Sequence, residues 1–152
     1  MENIELYLKN QTEEAKLIYT IGILWNKIST KLESTLSKYN LNIAKFNILM
    51  IIKHAGANDG IQQNEISKHL LVTASNITKL LDKLEKDGMI VRSSKESDRR
   101  VKLITVTEKS SDILDKAWKV YQKEIKEITA KMPVSQAKQL NKQLLEWLTN
   151  IK

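Results

Sequence analysis

The scarcity of residues that interrupt helices is the feature that most constrains the fold of this chain. Its 152 residues include only four glycines and one proline, so few positions favour tight turns or break a helix. Apolar residues recur at spacings of three and four over long segments, a pattern typical of amphipathic helices. The sequence therefore predicts a mainly α-helical protein. Its content of 41% hydrophobic and 28% charged residues fits a folded, water-soluble domain.

Three long amphipathic helices are predicted at the two ends of the chain. The first extends from about Thr12 to Tyr39. Two more, Glu108 to Met132 with Thr107 as N-cap and Val134 to Ile151, are separated by Pro133. Each carries a continuous apolar stripe, and the part of the chain between them offers too little surface to cover all three.

These uncovered stripes predict a homodimer. We expect residues 1–40 and 108–152 to form a helical dimerisation region in which a partner subunit covers the apolar strips. The alternative is an intramolecular bundle in which the same three helices cover one another.

Residues 41–107 are predicted to form a winged helix-turn-helix between the dimerisation helices. Its predicted elements, in chain order, are a helix that starts with Asn42 as its N-cap and runs to His54, a helix from Gln62 to Leu70, a turn at Leu71 and Val72, a helix from Thr73 to Asp87 stopped by Gly88, and strands Met89–Ser93 and Val101–Thr107. The two strands read as a β-hairpin, the wing, because they are rich in β-branched residues. The polar loop between them is longer than two residues and is expected to project charge from the tip of the wing.

The charge distribution favours a polyanionic partner. The formal net charge is +7, and the segment from Arg92 to Lys102 holds five basic residues against two acidic ones. A nucleic-acid-binding protein concentrates basic residues on the element that reaches the phosphates. Because this segment directly follows a helix-turn-helix, we expect double-stranded DNA to be the partner.

Candidate DNA-binding residues lie on the second helix of the motif and on the wing. On that helix, Ile77, Leu80, Leu81 and Leu84 form an inward stripe, and short polar or basic side chains opposite it can reach base edges in the major groove. The predicted major-groove residues are Ser75, Asn76, Thr78, Lys79 and Lys83. The predicted wing residues are Lys95, Asp98, Arg99 and Arg100, where an arginine can enter the minor groove and be oriented by the aspartate.

Residues 61–110 resemble the MarR family of transcription regulators. The segment "NITKLLDKLEKDGMIVR" matches the family's recognition helix and the start of its wing, and "SDRR" followed by "VT" matches the wing signature. The resemblance implies an obligate homodimer that binds a pseudo-palindromic DNA site and represses transcription until a small ligand intervenes. It also implies that Arg100 is the minor-groove arginine, that Asp98 orients it, and that the major-groove readers fall among Thr73 to Lys83.

Two positions depart from the family pattern. Leu71 occupies a turn position where relatives usually have glycine, and Ser110 replaces a glycine often found after the wing. The absence of cysteine excludes disulfides and the thiol-based sensing of one branch of the family.

Other chemistries receive little support from the sequence. His54 and His69 are the only histidines, far apart in sequence, so we expect no metal site and no cofactor. No phosphate-binding loop or nucleophile motif is visible, so we expect no enzymatic activity. The longest apolar run, residues 48–52, is too short to cross a membrane, so we expect a cytoplasmic protein.

Several aromatic side chains could line a pocket for a small aromatic effector, although plain core residues show the same spacing. They are Tyr19, Trp25, Trp118, Tyr121 and Trp147. Two other functions remain open at this point. The chain could be a helical interaction module that binds RNA or acidic protein non-specifically, or an enzyme or cofactor carrier that uses its aromatic interior.

Overall fold

The computed structural model describes residue 4 and residues 8–56, 59–69, 74–95 and 98–151; for residues 74–76 and 98–99 it describes the backbone alone. The helices and strands of the described residues are numbered in chain order. They are α1 (Glu13–Ser37), α2 (Ile43–Ala55), β1 (Ile61–Gln62), α3 (Gln63–His69), α4 (Ala74–Lys86), β2 (Ile90–Lys95), β3 (Asp98–Val106), α5 (Glu108–Thr129) and α6 (Val134–Asn150). This order confirms the predicted mainly helical fold with a hairpin wing.

Local sequence signals account for where several helices begin and end. The side chain of Asn42 accepts a hydrogen bond from the Lys45 amide at 2.8 Å, and that of Thr107 accepts one from the Ser110 amide at 3.2 Å. Both predicted N-caps are therefore confirmed. Gly88 has φ +68°, the left-handed conformation that closes a helix at little cost for glycine. The predicted turn at Leu71 and Val72, with Thr73 after it, lies outside the described residues.

The wing is a three-stranded antiparallel sheet in the order β1-β3-β2. The sequence did not predict β1, which pairs Ile61 with Ile104 and Gln62 with Leu103. Two residues are too few to show the alternation typical of a strand. The partner strand lies more than forty positions further along the chain, beyond the reach of any local pattern.

The prediction of a long loop between the two strands of the hairpin was wrong. Lys95 pairs with Asp98, so only residues 96 and 97 connect the strands. The prediction placed residues 94–100 in the loop because they are polar, but a hairpin exposed on both faces tolerates polar side chains in its strands. The register jumps from Lys102 opposite Ser94 to Asp98 opposite Lys95, so residues 99–101 form an irregularity in β3.

One hydrophobic core joins the helix-turn-helix, the sheet and the start of α5. Its fully buried side chains include Leu36, Phe46, Leu49, Ile52, Ile66, Ile77, Leu81, Leu84, Ile90, Ile104 and Leu114. The inward stripe predicted for α4 is confirmed, since Ile77, Leu81 and Leu84 are buried and Leu80 packs against the core. The opposite face of α4 is thereby turned to solvent.

The helices at the two ends are covered unequally. α1 packs on α5 near its C-terminal end, where Oγ1 of Thr35 donates a hydrogen bond to Glu124 at 3.3 Å and Lys31 lies 3.9 Å from the same carboxylate. α6 has no buried residue among those described. The intramolecular bundle considered above would bury the α6 stripe, and in the described chain the stripe is exposed. Over the described residues, none of the helices is long and apolar enough to span a bilayer.

Candidate nucleic-acid interface

α4 presents a polar and mostly basic surface beside the wing. Because Ile77, Leu81 and Leu84 face the core, the side chains one or two positions away point outward. Exposed residues on this surface are Thr78, Lys79, Asp82, Lys83, Glu85 and Lys86. Ser75 and Asn76 lie in the first turn of α4, where their side chains are not described, and Thr73 lies outside the described residues.

A hydrogen bond joins the two helices of the helix-turn-helix at this surface. Nε2 of Gln63, the first residue of α3, donates to Oγ1 of Thr78 on α4 at 2.7 Å. The bond restricts the rotamer of a side chain that the sequence assigned to base reading. Sequence reasoning missed Gln63, since residues 15 positions apart on different helices share no local pattern.

The basic residues of the wing sit on strands rather than in a loop. Lys95 ends β2 and is exposed, and Arg100 is exposed within the irregular part of β3. Asp98 and Arg99 begin β3, where their side chains are not described. The orienting role of Asp98 therefore stays a prediction. Lys102, further along β3, donates to Oγ of Ser94 across the hairpin at 2.7 Å.

Arg92 connects the wing to α4. Its Nη2 lies 2.8 Å from Oδ1 of Asp82, and its Nη1 lies 2.7 Å from Oε2 of Glu85. In the sequence, Arg92 is recognisable only as part of the basic segment from Arg92 to Lys102. The signal that could have found these ion pairs is the presence of two carboxylates on the exposed side of an otherwise basic helix.

Two further ion pairs hold α2 against neighbouring elements. Nζ of Lys45 lies 2.8 Å from Oδ2 of Asp87, just after α4, and Nζ of Lys53 lies 2.6 Å from Oδ1 of Asp115 on α5. The hydrogen bond from Lys45 lowers the pKa of Asp87, and the hydrogen bond from Lys53 lowers the pKa of Asp115. α2 is thus fixed both to the end of α4 and to the first half of α5.

The start of α5 is bonded directly to the turn that ends α4. Oγ1 of Thr107 donates to the carbonyl of Gly88 at 3.0 Å, and Oγ of Ser110 donates to the carbonyl of Met89 at 2.7 Å. Ser110 is almost fully buried, with 1% of its surface exposed. Its hydroxyl makes a bond that a glycine here could not make, so this departure from the family pattern adds a connection.

The five aromatic residues that were predicted to line an effector pocket do not lie together within the described chain. Trp118 and Tyr121 pack with Phe46, whose ring centroid lies 6.2 Å from that of Trp118 and 4.8 Å from that of Tyr121. Burial raises the pKa of the Tyr121 hydroxyl. Tyr19 and Trp25 are exposed on α1, and Trp147 is half-buried on α6. Two of the five therefore lie on α5 beside the core, and the other three lie on α1 and α6.

The predicted absence of a metal site concerned His54 and His69. Both side chains are exposed, the first near the end of α2 and the second at the end of α3. Among the described residues, no cluster of three histidine, aspartate or glutamate side chains could hold a metal ion.

Comparison with known proteins gives consistent matches. Residues 41–102 match the model of the MarR family. The HTH-type transcriptional regulator MhqR of Bacillus subtilis is 28% identical over 113 residues, which make up 74% of this chain and 76% of that protein. A mutant of MarR from E. coli, solved in complex with operator DNA, is 26% identical with a TM-score of 0.79 over 87% of this chain and 93% of that one. CouR from Rhodococcus jostii, solved with bound p-coumaroyl-CoA, is 23% identical with a TM-score of 0.72 over 87% of this chain and 89% of that one.

Proposed function

The chain belongs to the MarR family of DNA-binding transcription regulators, and we propose that it acts as a homodimeric, ligand-responsive repressor that binds a pseudo-palindromic DNA site. Its relatives regulate transcription, which confirms the prediction that the chain is not an enzyme. The finer parts of this function are proposals, and each is supported by a separate observation. As a regulator of transcription it is expected to act in the cytoplasm, where bacterial and archaeal DNA is found.

The observation that carries the proposal is the adjacency of an exposed, polar recognition helix and a basic wing. We assign α4 to the major groove, with Thr78, Lys79 and Lys83 reading base edges or contacting phosphates. Thr73, Ser75 and Asn76 complete the proposed reading surface at its N-terminal end. The wing is assigned to the minor groove through Lys95, Asp98, Arg99 and Arg100, with Arg100 as the inserted side chain.

The distribution of exposed apolar side chains supports the dimer. Among the described residues, the large exposed hydrophobic side chains other than Val91 all lie on α1, α5, α6 or the segments directly beside them. On α6, Leu144 and Leu148 expose 39% and 53% of their surface. Patches of this kind mark contacts with another protein surface. A two-fold dimer would also set two copies of α4 about 34 Å apart, the spacing of successive major grooves.

The proposed ligand response involves a small aromatic compound. CouR, of the same fold, was solved with p-coumaroyl-CoA, and Trp118 of this chain exposes 38% of its surface beside Tyr121. An effector acts by binding better to one arrangement of the two winged units than to the other. We expect such a compound to change the distance or tilt between the two copies of α4. A panel of benzoates and cinnamates, titrated into the protein–DNA complex, tests this step.

The decisive experiment is a selection of bound fragments from random double-stranded DNA, followed by sequencing. We expect a consensus with two-fold symmetry, because a two-fold dimer presents the same surface twice. A consensus without symmetry would contradict the dimer as the binding species. Recovery of unrelated sequences at physiological salt would contradict sequence-specific recognition and favour the non-specific interaction module.

A further inference from the structure

We propose that Arg92 is a positioning residue for DNA recognition, which fixes the wing relative to α4 by bridging Asp82 and Glu85. This inference rests on the proposed function and adds a residue that acts through its neighbours rather than through DNA. It also explains why a helix that faces a polyanion keeps two acidic side chains on its exposed side.

Arg92 adds a polar link between two elements that the hydrophobic core and the turn at Gly88 already hold together. Arg92 lies on β2, opposite Ile104 of β3, and both of its terminal nitrogens contact α4, at 2.8 Å from Asp82 and 2.7 Å from Glu85. Asp82 and Glu85 are three residues apart, so their side chains lie on the same side of the helix. Because one planar guanidinium binds two carboxylates, it fixes the direction of the Arg92 side chain as well as its distance from α4.

The exposures of the three side chains show what kind of contribution this arrangement makes. Arg92 exposes 24% of its side chain, whereas Asp82 exposes 57% and Glu85 41%. Ion pairs that are open to water contribute little to folding stability. Their geometric effect persists, because two charge-assisted bonds restrict a side chain that would otherwise sample many rotamers. We therefore assign the three-residue clamp to the mutual orientation of α4 and the wing.

The two acidic residues of the clamp also affect the electrostatics of DNA binding. A carboxylate on the DNA-facing helix repels phosphates and weakens binding to every sequence. Arg92 contacts both carboxylates from the wing side and supplies a positive charge within 3 Å of each. Loss of Arg92 would thus have two consequences: the wing would be less well oriented, and two negative charges would be uncompensated beside Lys79 and Lys83.

Three variants of the full-length chain separate these two consequences. Arg92→Lys keeps the charge but cannot bridge two carboxylates as a planar guanidinium does. Arg92→Gln removes both charge and bridge, and Asp82→Asn with Glu85→Gln removes the acidic partners. Lys123→Gln is the charge-matched control, because Lys123 is exposed on α5, away from α4 and the wing.

The measurement is the affinity of each variant for the duplex selected from random DNA and for a scrambled duplex of the same length and composition. For Arg92→Lys we expect the ratio of specific to non-specific affinity to fall about tenfold, with the non-specific affinity nearly unchanged. For Arg92→Gln we expect both affinities to fall and the ratio to fall as well. For the double variant we expect the ratio to fall while the non-specific affinity rises. Thermal unfolding of each variant verifies that it is folded.

The outcomes distinguish a failure of the positioning role of Arg92 from a failure of the proposed function. If the wild-type chain binds both duplexes equally, the proposed function is overturned. If the wild type discriminates and Arg92→Lys keeps the wild-type ratio, Arg92 acts only through its charge and the positioning role is overturned. Equal gains on both duplexes for the double variant would likewise overturn it, because the carboxylates would then only repel DNA. Should Arg92→Gln fail to fold, the other two variants still decide.

Discussion

The hydroxyl of Ser110, in the first turn of α5, donates a 2.7 Å hydrogen bond to the carbonyl of Met89, the residue that precedes β2. With Thr107 bonded to the carbonyl of Gly88, this contact attaches α5, a helix of the proposed dimer interface, to the turn that ends α4, the proposed recognition helix. We therefore expect a change in the direction of α5 to move the C-terminal end of α4. This connection offers a direct mechanical route between the proposed dimer interface and the DNA-reading surface.

Ser110→Ala is expected to destabilise the chain by about 1 kcal/mol, because a buried hydrogen bond is lost and the Met89 carbonyl keeps only its bonds from the Thr107 amide and hydroxyl. Urea unfolding followed by circular dichroism measures the change. Ser37→Ala is the control, since the Ser37 hydroxyl bonds a carbonyl of its own helix in an exposed position. Equal effects for the two substitutions would show that the bond to Met89 contributes nothing specific.

Arg100→Ala is expected to weaken binding to the selected duplex by about 1–3 kcal/mol, because a side chain that enters a groove contributes to sequence discrimination. Its effect on a scrambled duplex should be smaller. Fluorescence anisotropy on both duplexes measures the difference, with Lys123→Gln as a control that removes one charge elsewhere. Unchanged affinity for the selected duplex would remove Arg100 from the proposed interface.

Leu144→Glu is expected to weaken dimerisation at least about tenfold, because a dimer would cover the 39% of the Leu144 surface that is exposed, a fraction of the about 1.5–3 kcal/mol of a fully buried leucine, and each substitution occurs twice in a two-fold interface. Sedimentation velocity over a range of concentrations gives the dimer dissociation constant. Gln139→Glu introduces the same charge on another side of α6 and should leave that constant nearly unchanged. A wild-type chain that sediments as a monomer at all concentrations would contradict the proposed interface at the outset.

Gly60→Ala is expected to destabilise the fold by at least about 1–2 kcal/mol, the cost of a left-handed conformation for a residue with a Cβ. Gly60 has φ +81°, and a Cβ there would lie 3.0 Å from Cγ2 of Thr105 and 3.1 Å from Cβ of Leu103. Gly22→Ala is the opposite case, since outside the adjoining residues and the backbone of α1 itself no atom lies within 4 Å of its added Cβ. That substitution should be neutral or stabilising by up to about 1 kcal/mol. Denaturant unfolding of both variants tests the contrast.

Acid is expected to weaken the attachment of α2 to its neighbours. The hydrogen bonds from Lys45 and Lys53 lower the pKa values of Asp87 and Asp115 in the folded chain. A carboxyl with a lowered folded-state pKa stabilises the fold above its unfolded pKa, near 3.9, and loses that contribution as pH falls through the folded value. Asp115→Asn should thus be less stable than wild type at pH 7, and the difference should shrink below about pH 4.

The matched control for the acid experiment is Asp112→Asn, which changes an exposed carboxylate of the same helix. Its stability relative to wild type should vary much less between pH 7 and pH 3. If Asp115→Asn and Asp112→Asn follow the same pH profile, the ion pair with Lys53 does not stabilise the fold.

Most of the fold could be predicted from the sequence because its determinants are local. The caps at Asn42 and Thr107 and the left-handed Gly88 are single-residue signals, and the stripe of Ile77, Leu81 and Leu84 follows from helical periodicity. The polar wing residues misled the strand prediction because a hairpin with both faces exposed has no apolar alternation to mark its ends.

The candidate site was only partly predictable for a related reason. The type and position of the α4 and wing residues follow from motif order, whereas the bonds that orient them depend on tertiary packing. The contacts of Gln63 with Thr78 and of Arg92 with Asp82 cross between elements. A single sequence contains the chemical partners, but the packing angle of the elements decides which partners meet.

The packing of α1 on α5 has a consequence for the order in which the chain acquires structure. Thr35 and Glu124, which meet there, are 89 positions apart, whereas the strand pairing that closes the wing joins residues about half as far apart, Ile61 and Ile104. Closing a long loop is entropically costly and slow compared with forming local contacts. We expect α3, α4 and the hairpin to fold early on the ribosome. The apolar side of α1 stays uncovered until the last third of the chain, which includes α5, has been synthesised.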